Sequence, residues 1–318
     1  MNILELADEI IAGKRLTKAE WPDYLKTCDL DELCEAADKI RAACVGDKID
    51  LCSIINGRSG RCPEDCKYCA QSAHNHTDCE IYDFLDEDTI IDACKLNERE
   101  GVDRFSIVTA GRALTGEEFD KAIQAYERMN KECDIELCAS MGFVDADQLH
   151  RLHEVGVTSY HHNIETSRRF FPEICTTHTY DQKLATLKLI KAEGMYVCSG
   201  GIIGMGEDMD DRIDMAFDLA EAGADSIPIN ALMPIPGTPL EGRERLTEDE
   251  ILRTIAIFRF INPEADIRLA AGRALLTGDG EKAFKSGASA TITGNMLTTV
   301  ACATIRSDKE LIKSLGRR

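Results

Sequence analysis

Residues 220–230 read AEAGADSIPIN, the tail of a helical pattern that stops at Gly223 and a short apolar run from Asp225 to Asn230. A glycine just past a helix end takes the left-handed cap conformation without a Cβ penalty. The same unit recurs as EREGVDRFSIV (98–108), HEVGVTSYHHN (153–163), KAEGMYVCSGG (191–201) and FKSGASATITG (284–294), with Gly101, Gly156, Gly194 and Gly287 at the junctions. Helix, glycine and strand in alternation make right-handed βαβ units and hence a parallel sheet. Strands are expected near 50–55, 104–109, 135–140, 158–163, 195–201, 225–230, 266–271 and 289–293. Eight of them favour an α/β fold of the closed (β/α)8 TIM-barrel class over an open doubly wound sheet.

Helix starts carry their own signals. Thr115 with Glu118, Thr179 with Gln182 and Thr247 with Glu250 fit the capping box. The opening MNILELADEIIAGKRL reads as an amphipathic helix with Ile3, Leu6 and Ile10 inward. Residues 1–48 are therefore expected as a helical extension and 49–318 as the barrel. Active sites of such barrels lie at the C-terminal ends of the strands, so the loop after the first strand is where chemistry is expected.

The 318 residues suffice for one large α/β barrel, and a net charge of −20 opposes a nucleic-acid partner. No apolar run is long enough to span a bilayer, and no signal peptide is recognised. Fourteen cysteines in such a chain point to metal, redox chemistry or buried thiols rather than disulfides, and a cytoplasmic location is expected.

The loop after the first strand is GRSGRCPEDCKYCAQSAHNHT, 57–77, with Cys62, Cys66 and Cys69 at spacing C-x3-C-x2-C. Three thiolates on one short loop wrap three corners of an iron–sulfur cubane and leave the fourth iron for an external chelate. From spacing alone a zinc site on the three cysteines with His74 or His76 stays open.

C-x3-C-x2-C with Tyr68 before the last cysteine resembles the radical S-adenosylmethionine superfamily. The strings CPEDCKYCAQS, YHHNIETS, YVCSGGIIGMGE, SIPINALMPIPGTPLEG and IRLAAGR together resemble the biotin synthase family along nearly the whole chain. The resemblance implies sulfur insertion between two unactivated carbons of dethiobiotin. It also implies a 4Fe–4S cluster on Cys62, Cys66 and Cys69 that cleaves S-adenosylmethionine, two molecules of which are consumed. S-adenosylmethionine contacts are implied at Tyr68, Glu165, Lys183 and the glycine-rich stretch of Gly200, Gly204 and Glu207. Contacts to dethiobiotin are implied at Asn163, Asn230, Thr298 and Thr299. Glu165 and Lys183 stand where the family has Asp and often Arg, and His161 replaces an Asn. An electron donor such as flavodoxin or ferredoxin and a homodimer are expected partners.

The family's second cluster, a 2Fe–2S on three cysteines and an arginine, is matched by Cys138, Cys198 and Arg268, but the second-strand position is Ser106. Serine is a poor substitute for thiolate on iron. Cys52 shares a face with Ile54 and Asn56 by strand alternation, so a relocated set of Cys52, Cys138 and Cys198 with Arg268 nearby is expected. That set suits a 2Fe–2S or larger auxiliary cluster. A maturase or mutase of the same superfamily and a non-catalytic zinc scaffold are the alternative readings. His150 and His153 read as a solvated helix face, and Cys28, Cys34, Cys44, Cys79, Cys94, Cys133, Cys175 and Cys302 as packing or surface thiols.

Overall fold

The structure, a computed structural model, describes residues 2–294 and 303–318; Thr298, Thr299 and Cys302 lie outside the described residues. Nine strand segments form one parallel sheet: β1 (Asp50–Arg58), β2 (Arg104–Thr109), β3 (Glu136–Ser140), β4 (Val157–His161), β5 (Tyr196–Cys198), β6 (Gly201–Ile203), β7 (Ser226–Ala231), β8 (Asp266–Leu269) and β9 (Ala290–Ile292). The order is β5-β4-β3-β2-β1-β9-β8-β7-β6, and a further β5–β7 pairing closes the ring. β5 and β6 together make one stave, so the sheet is an eight-stave TIM-type barrel.

The expected fifth strand, 195–201, is thus broken in two. Cys198 pairs with Ser226, and pairing with β7 resumes at Gly201 and Ile229. Between them Gly200 N donates to Asn163 Oδ1 at 2.9 Å, and a Cβ on Gly200 would meet Pro228 O at 2.0 Å. The ladder yields to a side chain from the neighbouring stave because the backbones approach too closely there for any residue but glycine.

Two helices, α1 (Ile3–Ile11) and α2 (Leu30–Cys44), precede the barrel, and Ile3, Leu6 and Ile10 are buried as their spacing predicts. Outside the strands lie α3 (Glu87–Arg99), α4 (Gly116–Glu132), α5 (Ala146–Glu154), α6 (Phe171–Ile174), α7 (Tyr180–Ala192), α8 (Met209–Ala222), α9 (Glu248–Ile261), α10 (Glu281–Phe284) and α11 (Ile305–Ser314). The boxes at Thr179/Gln182 and Thr247/Glu250 form, and Gly223 caps α8 in the left-handed region at φ 67°. The Thr115/Glu118 box does not form. Glu118 instead takes Arg58 Nη1 at 2.5 Å and Phe84 N at 3.2 Å, so a tertiary ion pair outcompetes the local cap.

Strand alternation sorts the side chains. Phe105, Ile107, Leu137, Ala139 and Tyr160 face the helices and are buried. Inward stand Arg104, Ser106, Cys138, Ser140, Ser159 and His161. A TIM barrel is usually filled by layers of branched aliphatics. Here polar, charged and thiol side chains stand among a few aliphatics, Ile54, Val108 and Ile292, and leave a cavity of about 240 Å³ along the axis.

Candidate active site

The cysteine loop leaves the C-terminal end of β1 and folds back on itself. Cys62 N donates to Gln71 O at 3.0 Å and Ala73 N to Cys62 O at 2.8 Å. Asn75 Nδ2 bridges the carbonyls of Cys66 and Cys69 at 3.1 and 2.8 Å, a support that the loop's spacing does not reveal. Burial pushes the Cys69 thiol up to about 11 and raises Cys62 as well. Thiolates in this setting need cationic compensation, which bound iron provides. The donor set therefore fits an iron–sulfur cluster. The zinc alternative does not assemble: His74 Nε2 sits 3.0 Å from Pro63 O, and among the described residues neither His74 nor His76 falls within ligand distance of a cysteine pair.

Above the loop's inner side lies a second cavity of about 210 Å³, lined by Tyr68, Cys69, Ile202 and Met233. Asn230 and Ala271 line both this cavity and the axial one, so the two chambers meet there. Glu165 stands at the same mouth. It holds φ at 73°, unusual for a residue with a Cβ and common at sites where geometry is over-determined by its surroundings. Its amide donates to Gly200 O at 3.1 Å and its carbonyl accepts from Ile202 N at 2.8 Å. The carboxylate faces Asn163 Nδ2 at 3.4 Å and Lys183 Nζ at 4.0 Å, and the Tyr68 hydroxyl. Burial raises the Glu165 carboxyl despite Lys183.

The glycine-rich stretch is more structural than its motif suggests. Glu207 is buried and fully engaged: Gly204 N (2.7 Å), Met205 N (2.8 Å), Gly206 N (3.1 Å) and Arg212 Nε (2.8 Å) all donate to it. It shapes the turn after β6. Asn230 is engaged at both ends, Nδ2 to Gly201 O at 3.0 Å and Oδ1 from Ala271 N at 3.1 Å. Asn163 Oδ1 accepts from Gly200 N, whereas among the described residues Nδ2 has one partner, Glu165 at the long distance of 3.4 Å.

Deep in the barrel, Cys52, Cys138, Cys198, Ser106 and Arg268 line one cavity. Burial pushes Cys52 and Cys198 up to about 12 and Cys138 to about 11, against the pull of Arg268 or Arg104. Ser106 Oγ is buried with no hydrogen-bond partner among the described residues, beside Cys138 in register. Three thiols and an unpartnered buried hydroxyl line one cavity, so the residues fit an iron–sulfur cluster, whose iron favours the soft sulfur donors. Arg268 is held on every side: Nε to Ser226 Oγ (3.2 Å), Nη1 to Thr291 O (3.2 Å) and Nη2 to Asp50 Oδ1 (2.5 Å). Asp50 Oδ2 also takes Arg104 Nε at 2.9 Å, and Arg104, half-buried, pairs with Glu136 as well, an Arg–Asp–Arg floor that strand patterns alone do not reveal. His161 Nδ1 lies 3.3 Å from Cys198 Sγ, and burial, then Lys183 and Arg268, lower the ring to about 4, so it is neutral.

Cys175 is buried in the core as expected of a packing thiol, with its Sγ 3.8 Å from Cys66 Sγ, 3.3 Å from His178 Nδ1 and 3.2 Å from Asp65 Oδ1. His150 and His153 behave as expected, exposed and sharing Glu193 at 3.0 and 3.2 Å. No helix among the described residues is long and apolar enough to cross a membrane.

The Radical SAM superfamily description matches residues 58–220, and that of the Biotin and Thiamin Synthesis associated domain matches 228–318. The chain is 58% identical over 312 residues to biotin synthase of Clostridium beijerinckii, covering 98% of each chain. It is 55% identical to biotin synthase of Alkaliphilus metalliredigens, covering 99% of each. Among solved structures, methylornithine synthase superposes with a TM-score of 0.84 at 20% identity, covering 98% of this chain and 96% of that one. HydG, a maturase of the [FeFe]-hydrogenase, gives 0.84 at 16% identity, covering 99% and 74%. At those identities the two structures share the barrel only, whereas the sequence relatives agree over its full length. With both halves of the barrel matched and the relatives spanning the whole chain, the protein belongs to the biotin synthase family of radical S-adenosylmethionine enzymes.

Proposed function

We propose that the chain closes the thiophane ring of biotin by inserting sulfur into dethiobiotin. The observation that carries this reading is the pair of chambers that meet at Asn230 and Ala271, one beside Cys69 and the other floored by three cysteines. Cys62, Cys66 and Cys69 would hold a 4Fe–4S cluster, which would supply the reducing electron for cleavage of S-adenosylmethionine. Cys52, Cys138 and Cys198 would hold an auxiliary iron–sulfur cluster, 2Fe–2S or larger, as the sulfur source.

The chain's own residues bind and orient. Tyr68, Glu165 and Lys183 receive S-adenosylmethionine at the mouth, Glu165 toward the ribose and Lys183 toward the carboxylate. Gly200, Gly204 and Glu207 contribute by setting the backbone beside the adenine. Asn163 offers its weakly engaged Nδ2 to the ureido ring of dethiobiotin. Asn230, spent on Gly201 and Ala271, acts mainly by holding the mouth in shape, and Thr298 and Thr299 receive the substrate carboxylate. Arg268, fixed as a cation by Asp50, neighbours the auxiliary cluster without giving up its proton. Ser106 is left without a role as ligand. The chain works as a homodimer and takes electrons from a flavodoxin- or ferredoxin-type donor.

The test is anaerobic turnover of the reconstituted protein with S-adenosylmethionine, a reductant and dethiobiotin. Biotin and 5′-deoxyadenosine should form, with two S-adenosylmethionines consumed per biotin. Cleavage that leaves dethiobiotin unchanged while another small molecule reacts would transfer the chain to the maturase or mutase reading.

A further inference from the structure

We propose that His161 is a positioning residue for the auxiliary cluster, donating a hydrogen bond from its Nδ1–H to the thiolate of Cys198. The two residues are partners in register across β4 and β5, and both line the axial cavity. His162 N donates to Cys198 O at 2.9 Å, so the backbone ladder fixes the two side chains side by side. His161 Nδ1 lies 3.3 Å from Cys198 Sγ, and among the described residues the ring makes no other hydrogen bond.

The direction of the bond follows from its acceptor. A thiolate on iron has no proton to give, so the shared proton belongs to Nδ1. Burial, with Lys183 and Arg268 adding to it, keeps the ring neutral, and a neutral imidazole has one N–H. With that proton on Nδ1, Nε2 keeps its lone pair. The three thiols of the floor also differ in what surrounds them. Cys198 receives the Ser226 hydroxyl as well, and Ser226 Oγ accepts in turn from Arg268 Nε at 3.2 Å. Cys138 receives the Ser159 hydroxyl. Cys52 Sγ faces a carbonyl instead, Ser53 O at 3.8 Å. Hydrogen bonds to ligand sulfurs help set a cluster's potential, because a donor favours the more negatively charged, reduced state. His161 therefore raises the potential through Cys198. This role rests on the auxiliary-cluster reading of Cys52, Cys138 and Cys198.

The test uses the full chain with Cys62→Ala, Cys66→Ala and Cys69→Ala, reconstituted so that it carries the auxiliary cluster alone. In a redox titration followed by electron paramagnetic resonance, His161→Leu should disfavour the reduced cluster at least threefold. That is a midpoint about 28 mV more negative, at about 59 mV per tenfold for one electron. His161→Asn, whose Nδ2 reaches the place of Nδ1, should keep the change under twofold. In the holoenzyme with both clusters, His161→Leu should move one midpoint and leave the other in place. With histidine labelled by ¹⁵N, spin-echo spectra of the reduced cluster should show a nitrogen coupling. That coupling decides the matter if His161→Leu holds no cluster. An unmoved midpoint in His161→Leu, or a reduced cluster without the coupling, would overturn the hydrogen bond. Equal shifts in His161→Asn and His161→Leu would make the ring a packing residue and overturn it too. Protein whose floor binds no iron at all refutes the auxiliary-cluster reading itself, whereas an intact cluster with an unmoved midpoint refutes the role of His161 alone.

Discussion

Arg268 Nη2 lies 2.5 Å from Asp50 Oδ1, and the other oxygen of that carboxylate holds Arg104 at 2.9 Å. One buried anion thus faces the buried cation Arg268 and the half-buried Arg104, which Glu136 also pairs. Removing it strands Arg268, while Arg104 keeps Glu136, and breaking a buried pair costs about 3–5 kcal/mol. Asp50→Asn should lose about that much in urea denaturation of the cluster-free protein, and auxiliary iron with it. Burial alone would raise the Asp50 carboxyl, but Arg268 and Arg104 hold it below its ordinary value. Its contribution is therefore complete above the ordinary carboxylate range and disappears as pH falls through the lowered value. In Asp50→Asn that acid limb should flatten.

Cys52 and Ser106 give opposite expectations although both line the floor. Cys52→Ser should lose the auxiliary cluster and biotin formation while S-adenosylmethionine cleavage survives. Ser106→Ala should keep both clusters, since a serine hydroxyl is a poor ligand for iron beside three thiolates. Iron and sulfide analysis with Mössbauer spectra distinguishes the two. Full auxiliary iron in Cys52→Ser, or its loss in Ser106→Ala, contradicts the ligand set.

His161 should set a pH limb of stability. Its ring is lowered from 6.5 to about 4 by burial, with Lys183 and Arg268 adding to it. The unfolded chain therefore binds the extra proton first, and stability falls as pH drops from about 6.5 toward about 4. A tenfold change in proton affinity is worth about 1.4 kcal/mol, and because the ring borders the cavity a total of about 2 kcal/mol is expected. His161→Asn should flatten that region of a pH-dependent denaturation series in cluster-free protein. An unchanged slope would show that the ring is already charged or solvated.

Gly200→Ala tests the break in the fifth stave. The new Cβ would meet Pro228 O at 2.0 Å, a backbone atom that cannot swing aside. The variant should be destabilised by about 3 kcal/mol or more, as overpacking of a rigid site predicts. Gly242→Ala, with nothing within 4 Å of the added carbon, is the matching control and should keep its Tm.

Asn163→Ala should weaken dethiobiotin binding by about 1–3 kcal/mol, the cost of an unmet buried polar partner. Calorimetry in the presence of S-adenosylmethionine measures it. Asn230→Ala should lower thermal stability as well as affinity, because its amide ties Gly201 to Ala271.

Much of this is legible in the residues alone because it is local. A helix end, a glycine and a following strand lie within eleven residues, so their repetition reveals the barrel without knowledge of any contact. The cysteine loop is likewise one short stretch, and the inward row of Cys52, Cys138 and Cys198 follows from a period of two. The remainder depends on which segments meet. The fifth strand breaks because Asn163 and Pro228 reach it from other staves. Glu118 leaves its cap for Arg58, more than fifty positions earlier. Asp50 joins Arg104 to Arg268 only once the barrel closes, and Cys175 with His178 faces Cys66 only because the loops after β1 and β4 dock at Lys67 and Ile174. Sequence determines local propensity and pattern, whereas pairing of buried charge and ligand groups is decided by distances that closure of the chain alone creates.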